Sequence, residues 1–426
     1  MSQLAEHLSP PLAVAEEVRS FYDRYPYPPP VDNLEKYQRL WQDQNRRRAD
    51  HHLFWPAVPY REEQSILIAG CGTSQAAKHA LRRPTSQVTG IDCSATSVRR
   101  TNELKAKYNL KNLRVHQLAI EQVGKLGMSF DQIVCTGVLH HLAEPDAGLS
   151  ALRSALNPDG AMHLMVYAPY GRAGIYMMQE FCRRLGVHAT ATEIRDLIGA
   201  LGVLPHGHPL ETVLSQAPDF RHEAALADAL LHPQDRAYSV PQLFDFIENA
   251  GLTFGRWLRQ APYSLQCGVV AEIPQTARMA RLSLTEQYAA IELFRGTMAR
   301  HSVVVYRSDS VCGGRQEVSF TGNAWLDYVP IRMPDTICLQ EQLPPGMTAV
   351  LINQTHTYKD LFLPIGSSEM RIFEAIDGVR SITDILKTTL GSARHLGNLD
   401  IARTFFGRLW WHDQVVFDTS QPATVI

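Results

Sequence analysis

Residues 65–92 determine much of the fold that this chain can adopt, and they read SILIAGCGTSQAAKHALRRPTSQVTGID. An apolar, β-prone segment runs into a Gly70-Cys71-Gly72 turn, an alanine-rich helical segment follows, and a second apolar segment ends at Asp92. Glycines permit a sharp turn and the close approach of a ligand, and an acid at the next strand tip can accept both hydroxyls of a ribose. The sequence therefore predicts a βαβ unit with a nucleoside site at its strand tips.

The spacing of the glycines narrows the choice of nucleoside. A dinucleotide site would carry a third glycine where this chain has Gln75, and no G-K-[ST] follows to form a phosphate-binding loop. A nucleoside without phosphate fits better, and S-adenosylmethionine is the common one. The segment resembles the first motif of the class I S-adenosylmethionine-dependent methyltransferases. The resemblance continues through two further motifs in the family's order, at residues 130–145 (FDQIVCTGVLHHLAEP) and 156–168 (LNPDGAMHLMVYA).

This resemblance implies an α/β fold with a Rossmann-like, doubly wound sheet and S-adenosylmethionine as the cofactor. Asp92 would hold the ribose and Glu121 the adenine amino group. Two alternatives stay open, because Asp92 could cap the following helix and Glu121 could be a solvated acid at a helix start. The cofactor-binding residues that the resemblance implies are Ala69, Gly70, Cys71, Gly72, Asp92, Cys93, Ala119, Ile120, Glu121 and Gly137.

The chain departs from the family pattern at two positions. Ile68 stands where the family usually has an acid, and Ser74 stands where it usually has a third glycine. The serine is small enough to be tolerated. The isoleucine removes the carboxylate that would orient the methionine amino group, so either another side chain supplies that contact or the methionine end binds differently.

Composition limits the classes of protein to consider. The length of 426 residues suggests two or three domains. The net charge of −2 indicates no excess of basic residues that would attract nucleic acid. No apolar run approaches the roughly 18 residues of a membrane span, and the N-terminus lacks the order of a signal peptide, which predicts a cytoplasmic protein. The seven cysteines form no C-x-x-C pair, and His206 and His208 have no third ligand in register, so neither disulfides nor a metal site is predicted.

The N-terminal segment combines helical apolar spacing over residues 14–25 with prolines at 26, 28, 29 and 30. Its FYDRYPYPPP sequence is similar to the F-Y-x-x-x-P-Y-P opening of a bacterial subset of the family. The three tyrosines of this strip, Tyr22, Tyr25 and Tyr27, are predicted to form a lid over the site, because aromatic faces favour a sulfonium cation. A linker packed on the core is the alternative.

The pattern along the chain predicts three regions: 1–60, the N-terminal helix and lid; 61–275, the methyltransferase domain with a helical insertion at about 171–240; and 280–426, an accessory domain. Sheet strands are predicted near 65–69, 88–91, 113–117, 131–136 and 161–167, completed by 253–258 and 265–273. The accessory domain is predicted to be α+β and winged-helix-like, with short helices before a strand at 415–417. Its mixed charges favour protein contact or homodimerisation over DNA.

Two groups of residues could contribute to catalysis or to binding of the acceptor. His140 and His141 follow strand four and are candidate general bases, since imidazole titrates near neutral pH. Alternatively, one caps the next helix and the other packs inside. Arg172, beside Tyr167 and Tyr170, could hold an anionic substrate, or could be an ordinary surface arginine.

The sequence therefore predicts methyl transfer from S-adenosylmethionine to a small-molecule or a peptide or protein acceptor, without nucleic-acid or membrane partners. A catalytically silent cofactor-binding regulator is one alternative, supported by Ile68. A nucleic-acid methyltransferase is another, although residues 136–139 (TGVL) replace the N-P-P-[YF] motif expected after strand four.

Overall fold

The structure is a computed structural model that describes residues 10–216, 222–310, 318–343, 345–390 and 396–420. Cys312 and the first nine residues of the predicted N-terminal region lie outside the described residues. The strands are β1 Ser65–Ala69, β2 Gln87–Asp92, β3 Leu113–Gln117, β4 Phe130–Thr136, β5 Leu156–Tyr167, β6 Leu252–Trp257, β7 Arg300–Arg307, β8 Val329–Arg332, β9 Thr336–Leu339, β10 Ala349–Asn353, β11 Leu363–Ile365 and β12 Val415–Asp418.

The α-helices alternate with the first strands and then form longer helical stretches. They are α1 Pro10–Arg24, α2 Glu35–Leu40, α3 Gln44–Phe54, α4 Gln75–Arg82, α5 Ala95–Lys107, α6 Pro145–Ala155, α7 Ala173–Leu185, α8 Ala191–Leu201, α9 Pro209–Gln216, α10 Glu223–Leu230, α11 Val240–Asn249, α12 Val269–Glu272, α13 Thr276–Met279, α14 Leu284–Arg295, α15 Ser367–Glu374, α16 Ile382–Leu390 and α17 Leu396–Trp411.

A seven-stranded sheet with the order β3-β2-β1-β4-β5-β7-β6 forms the centre of the fold. The first five strands are parallel, and β7 runs antiparallel to β5 with Ala161 opposite Tyr306 and Tyr167 opposite Arg300. Strand β1 is almost wholly apolar and buried because helices cover both faces of the sheet. The predicted Rossmann-like fold class is confirmed, and so are the first five predicted strands.

The last predicted strand is wrong. Residues 265–273 contain the short helix α12, and Val269 in it is 42% exposed. The sheet is completed instead by β7, in which Val303, Val304 and Val305 are fully buried. Three consecutive valines need apolar cover on both faces, which a strand inside the sheet provides and an exposed segment does not.

Helices α7 to α10 lie between β5 and β6 and form the predicted helical insertion. Together with α1 they enclose a hydrophobic cluster of their own. Phe21 of α1 and Tyr25, which follows the helix, are buried in it beside Ile175, Ile194 and Leu226 of the insertion. The N-terminal helix is therefore part of the core of this region.

The chain divides into two compact units at boundaries that differ from the predicted ones. The first comprises residues 1–38, 63–254 and 292–309, and the second comprises 39–62, 255–291 and 310–426. Residues 39–62 join the second unit because α3 packs there: His52 Nε2 lies 3.4 Å from Asp418 Oδ2, and the Thr419 N–H donates to the Pro56 carbonyl at 2.7 Å.

In the second unit, β9, β10 and β11 form an antiparallel sheet, and β12 pairs antiparallel with β8. Helices α15, α16 and α17 precede β12, as the predicted helices-then-strand order requires. Phe405, Phe406 and Phe417 are fully buried in this unit. Among the described helices, none has the length and apolar character needed to cross a membrane.

Candidate active site

The glycine turn after β1 has a backbone conformation that is unfavourable for residues other than glycine. Gly70 has φ +70° and Gly72 has φ +53°, both in the left-handed region that favours glycine. The Gly70 and Cys71 N–H groups both donate to the Ile91 carbonyl at 2.9 Å. A Cβ atom on Gly70 would lie 2.3 Å from Val138 Cγ2, so the loop after β4 closes directly on the turn.

Asp92, at the tip of β2, is joined to this turn. Its Oδ2 accepts from the Gly72 N–H at 2.8 Å, and its Oδ1 accepts from the Ser94 N–H at 2.9 Å. Burial raises the pKa of Asp92 to about 6, although these two hydrogen bonds oppose the shift. The cap of α5 is Ser94, whose Oγ accepts from Ser97 N–H, so Asp92 does not serve as the helix cap.

The Asp92 carboxylate fits a ribose diol. A carboxylate offers about four acceptor positions, and each oxygen of Asp92 receives one bond from the backbone. One further position on each oxygen can accept from a ribose hydroxyl. The glycine turn and Asp92 are thus brought together in the arrangement that the sequence predicts for a nucleoside.

The other predicted cofactor residues lie at the neighbouring strand tips. The Leu118 N–H donates to the Asp92 carbonyl at 2.9 Å, which fixes the end of β3 beside β2. Ile120 is buried and begins a 3-10 helix, whereas Glu121 next to it is exposed. Gly137, after β4, has φ +78°. Ile68 is fully buried in β1. The remaining predicted residues at this edge are Ala69, Ala119 and Cys93. Burial raises the pKa of the Cys93 thiol to about 12.

The tyrosine–proline strip (residues 22–30) lies against the glycine turn and α5. Thr73 Oγ1 donates to the Pro28 carbonyl at 2.8 Å. Asp23 Oδ1 accepts from Ser94 Oγ at 2.7 Å and from the Thr96 N–H at 3.2 Å. The strip also reaches the insertion, since the Tyr25 hydroxyl donates to the Ala189 carbonyl at 2.7 Å.

A tyrosine–aspartate cluster (Tyr22, Tyr167 and Asp228) joins the strip to β5 and α10. Tyr22 Oη donates to Asp228 Oδ1 at 3.0 Å, and Tyr167 Oη donates to Asp228 Oδ2 at 3.5 Å. Burial raises the pKa of Asp228 to about 7, against the Tyr22 hydrogen bond and the Arg172 charge. Burial and Asp228 together raise the pKa of Tyr22 well above its ordinary value, with a smaller contribution from Asp92. Asp23, the neighbour of Tyr22, accepts from Ser94 Oγ, and the Ser94 N–H donates to Asp92, so the cluster is linked to Asp92 through Ser94.

Sequence reasoning missed Asp228. In α10 it follows the buried apolar residues Ala225, Leu226 and Ala227, and it is itself only 3% exposed. A lone carboxylate inside an apolar helical segment was the available signal, because a buried charge needs a partner. The identity of that partner could not be read from the local sequence.

His140 and His141 are both buried at the end of β4, and neither caps α6, whose N-cap is Glu144. His141 Nδ1 lies 2.7 Å from the Gln234 carbonyl, and the His141 ring lies 3.9 Å from that of His232. Burial lowers the pKa of His141 to about 4, that of His232 to about 2 and that of His140 well below the ordinary value. All three imidazoles are therefore neutral at physiological pH, which makes them weak bases.

Arg172 already has partners within the chain. Its guanidinium carbon lies 3.5 Å from the centroid of the Tyr167 ring, and Nη2 lies 3.3 Å from Asp235 Oδ2. Its Nε donates to the Tyr176 hydroxyl at 3.2 Å. The side chain is buried because Asp235 neutralises it, so it is not the surface arginine of the alternative reading either. Tyr170, by contrast, is 42% exposed.

Comparison with known proteins agrees with this geometry. A family model described as a methyltransferase domain matches residues 67–162. An uncharacterised protein of Synechococcus is 34% identical over 258 residues, which are 57% of this chain and 60% of that protein. A ubiquinone biosynthesis O-methyltransferase of Actinobacillus pleuropneumoniae is 26% identical over 145 residues, 31% of this chain and 61% of that enzyme.

The fold resembles that of a solved protein over most of the chain. PKMT2 from Rickettsia typhi superposes with a TM-score of 0.64 at 15% identity, covering 93% of this chain and 77% of that one. Its complex with AdoHcy superposes with a TM-score of 0.62. The chain spans about 60% of the length of these two curated relatives. Residues 67–162, which contain the glycine turn and Asp92, therefore match a methyltransferase domain.

Proposed function

We propose that this protein transfers the methyl group of S-adenosylmethionine to a small-molecule or a peptide or protein acceptor. The observation that carries the proposal is the Gly72–Asp92 contact at the tips of β1 and β2, which leaves one acceptor position on each Asp92 oxygen for a ribose hydroxyl. The family match and the predicted motifs support the same cofactor. The bound cofactor supplies an electrophilic methyl group.

In this proposal the chain orients the cofactor through three strand tips. Asp92 holds the ribose, Ala119 and Ile120 cover the adenine ring, and Glu121 accepts from its amino group. The glycine turn accommodates the methionine end. Ile68 is buried within the sheet, so the amino group needs a partner from another element.

Methyl transfer from a sulfonium is an in-line displacement that depends on alignment and on exclusion of water. We assign the acceptor to the tyrosine–aspartate cluster, because Tyr22 contacts Asp228 and its neighbour Asp23 is linked through Ser94 to Asp92. Where the acceptor must lose a proton, Asp228 is the best proton acceptor at this cluster. Its carboxylate is a stronger base than the neutral imidazoles of His140 and His141, whose pKa values lie far below neutral pH.

The choice between acceptor classes rests on the insertion and on the second unit. Helices α7 to α10 pack with the N-terminal helix that carries Tyr22, and the chain has a second compact unit besides the one that contains the glycine turn. We favour a peptide or protein acceptor for this reason. Homodimerisation through the accessory domain and a cytoplasmic location stay predictions.

The Asp92→Ala variant tests cofactor binding. Loss of hydrogen bonds to a charged group costs about 1.5–3 kcal/mol, so we expect affinity for S-adenosylhomocysteine, the demethylated product, to fall about 10- to 150-fold. Asp146→Ala, which removes an exposed acid from α6, is the matched control and should bind like the wild type. Isothermal titration calorimetry measures both. Equal affinity in a folded Asp92→Ala protein would refute the assignment.

The affinity for S-adenosylhomocysteine measured in this titration should fall as the pH is lowered. Binding favours the Asp92 carboxylate, whose pKa in the free protein is about 6. Affinity should therefore be nearly constant above pH 7 and weaken by up to about tenfold per pH unit as the pH falls below 6. The Asp92→Ala variant should lose this dependence.

The tyrosine–proline strip is proposed to act as a lid over the cofactor. Deletion of residues 1–30 is a poor test, since it would also remove Phe21 and Tyr25 from the core of the insertion. Asp23→Ala is sharper, because it removes two hydrogen bonds that hold the strip on α5. We expect limited proteolysis near Tyr25 to be about 5- to 30-fold faster in this variant, equivalent to about 1–2 kcal/mol.

S-adenosylhomocysteine should slow that cleavage in the wild type. Glu17→Ala is the matched control, since it removes an exposed acid from the same helix and should leave the cleavage rate unchanged. Equal cleavage rates with and without S-adenosylhomocysteine would show that the strip is a linker packed on the core and not a lid.

A further inference from the structure

Several buried polar atoms near the end of β4 have no hydrogen-bond partner among the described residues. They include both ring nitrogens of His140, Nε2 of His141 and Oδ1 of Asp235. His140 is fully buried, His141 is 2% exposed, and the Asp235 side chain is 3% exposed. Each unsatisfied buried group costs about 1–3 kcal/mol, so a cluster of them calls for a ligand that they share.

The three side chains that carry these atoms lie close together. One ligand atom from each of His140, His141 and Asp235 can be chosen so that all three lie within 4.8 Å of one another. Atoms bound at about 2.1 Å to one metal ion are at most about 4.2 Å apart, so small side-chain rotations bring them into range. Two imidazoles and one carboxylate form the ligand set typical of zinc sites that keep an open fourth position.

Neighbouring groups already orient two of the three ligands. His141 Nδ1 faces the Gln234 carbonyl at 2.7 Å, so this nitrogen carries the proton and donates it. The Nε2 lone pair of His141 is then free to bind a metal. Asp235 Oδ2 accepts from Gln179 Nε2 at 3.0 Å and from Arg172 Nη2 at 3.3 Å, which leaves Oδ1 for the ion. Such outer contacts are usual around metal ligands.

The local charge is compatible with a cation. Arg172 adds one positive charge beside Asp235, and the buried carboxylate of Asp228 offsets it. A second set, His141 with His232 and Asp228, shares His141.

We propose that His140, His141 and Asp235 bind one Zn²⁺ ion at the end of β4, with the fourth position open toward the tyrosine–aspartate cluster. This departs from the absence of metal that the sequence predicts, which considered His206 and His208. Those two residues lie elsewhere in the insertion, and the His206 side chain is 97% exposed. The site is independent of whether the protein binds S-adenosylmethionine.

The full chain, made without an affinity tag in medium supplemented with zinc and washed with a weak chelator, tests the proposal. Inductively coupled plasma mass spectrometry should find about one zinc per wild-type chain. His140→Ala, His141→Ala and Asp235→Asn should each lower the content about tenfold or more. His206→Ala is the matched control and should keep the wild-type content. Growth with cobalt instead should give the visible absorption bands of four-coordinate Co²⁺.

Two results would overturn the proposal. One is a wild-type chain that holds less than about a tenth of an equivalent of either metal. The other is three ligand variants that retain as much zinc as His206→Ala. Calorimetry with S-adenosylhomocysteine on the same samples reports folding and cofactor binding separately. Cofactor binding without zinc would leave the proposed function intact, and zinc without cofactor binding would leave the metal site intact.

Discussion

A Gly72→Val variant should lose at least about 100-fold in affinity for S-adenosylhomocysteine. Gly72 has φ +53°, where a β-branched residue is strained by about 1–3 kcal/mol. Its N–H also holds Asp92 Oδ2, and a Cβ there would lie 3.4 Å from both Pro28 Cδ and the Tyr27 carbonyl. A backbone shift that relieves this strain would therefore move both Asp92 and the tyrosine–proline strip.

Gly127→Val separates the effect on the site from backbone strain. Gly127 also has a left-handed φ, +61°, but nothing lies within 4 Å of its added Cβ. Both variants should lower the melting temperature to a similar extent, and Gly127→Val alone should retain wild-type affinity in calorimetry. Wild-type affinity in Gly72→Val would place the cofactor elsewhere on the chain.

The Asp228→Asn variant should transfer methyl groups about 100-fold or more slowly, within the usual range for loss of a general base. The amide keeps the size of the side chain and can still accept from Tyr22, but it cannot take a proton from the acceptor. Affinity for S-adenosylhomocysteine should stay within about twofold of wild type, because Asp92 and the glycine turn are unchanged.

The measurement uses radiolabelled S-adenosylmethionine and a cell extract as the source of acceptor. Asp196→Asn, an exposed acid on α8 in the same insertion, is the matched control and should transfer at the wild-type rate. If Asp228→Asn matched that control, the acceptor would need no proton removal or would lose its proton elsewhere. Wild-type protein that bound the cofactor without labelling any acceptor would instead support the silent-regulator alternative.

The parallel strands of the sheet were predicted from short segments of the sequence. Residues 66–69 form a buried apolar run, and the G-x-G turn that follows leaves few conformations for the chain. Asp92 ends the next apolar run. These features depend on neighbours within about 30 positions, so local hydrophobic pattern and glycine geometry were enough to predict the βαβ unit, and the binding of ribose by Asp92 stays a prediction.

The sequence analysis did not predict β7, although its three consecutive valines are typical of a buried strand. Residues 258–299 separate it from β6, and such a long connection gives no local sign of where the strand will pair. The same holds for residues 39–62, which join the second unit through contacts of α3 such as that between His52 and Asp418. Strand pairing and helix packing between segments this far apart in the chain depend on how whole helices and strands fit together.

The polar centre of the site was decided by tertiary structure alone. Tyr22 and Asp228 are 206 positions apart, and His141 and Gln234 are 93 positions apart. Tyr22 and His141 were candidates from the sequence, and Asp228 is a lone carboxylate in an apolar helix, but their local sequences do not reveal the partners that they meet. The sequence by itself predicted that the glycine turn and Asp92 lie at adjacent strand tips, because both follow from local pattern. The tyrosine–aspartate cluster depends on α1 and the helical insertion packing together, and burial there raises the pKa of Asp228.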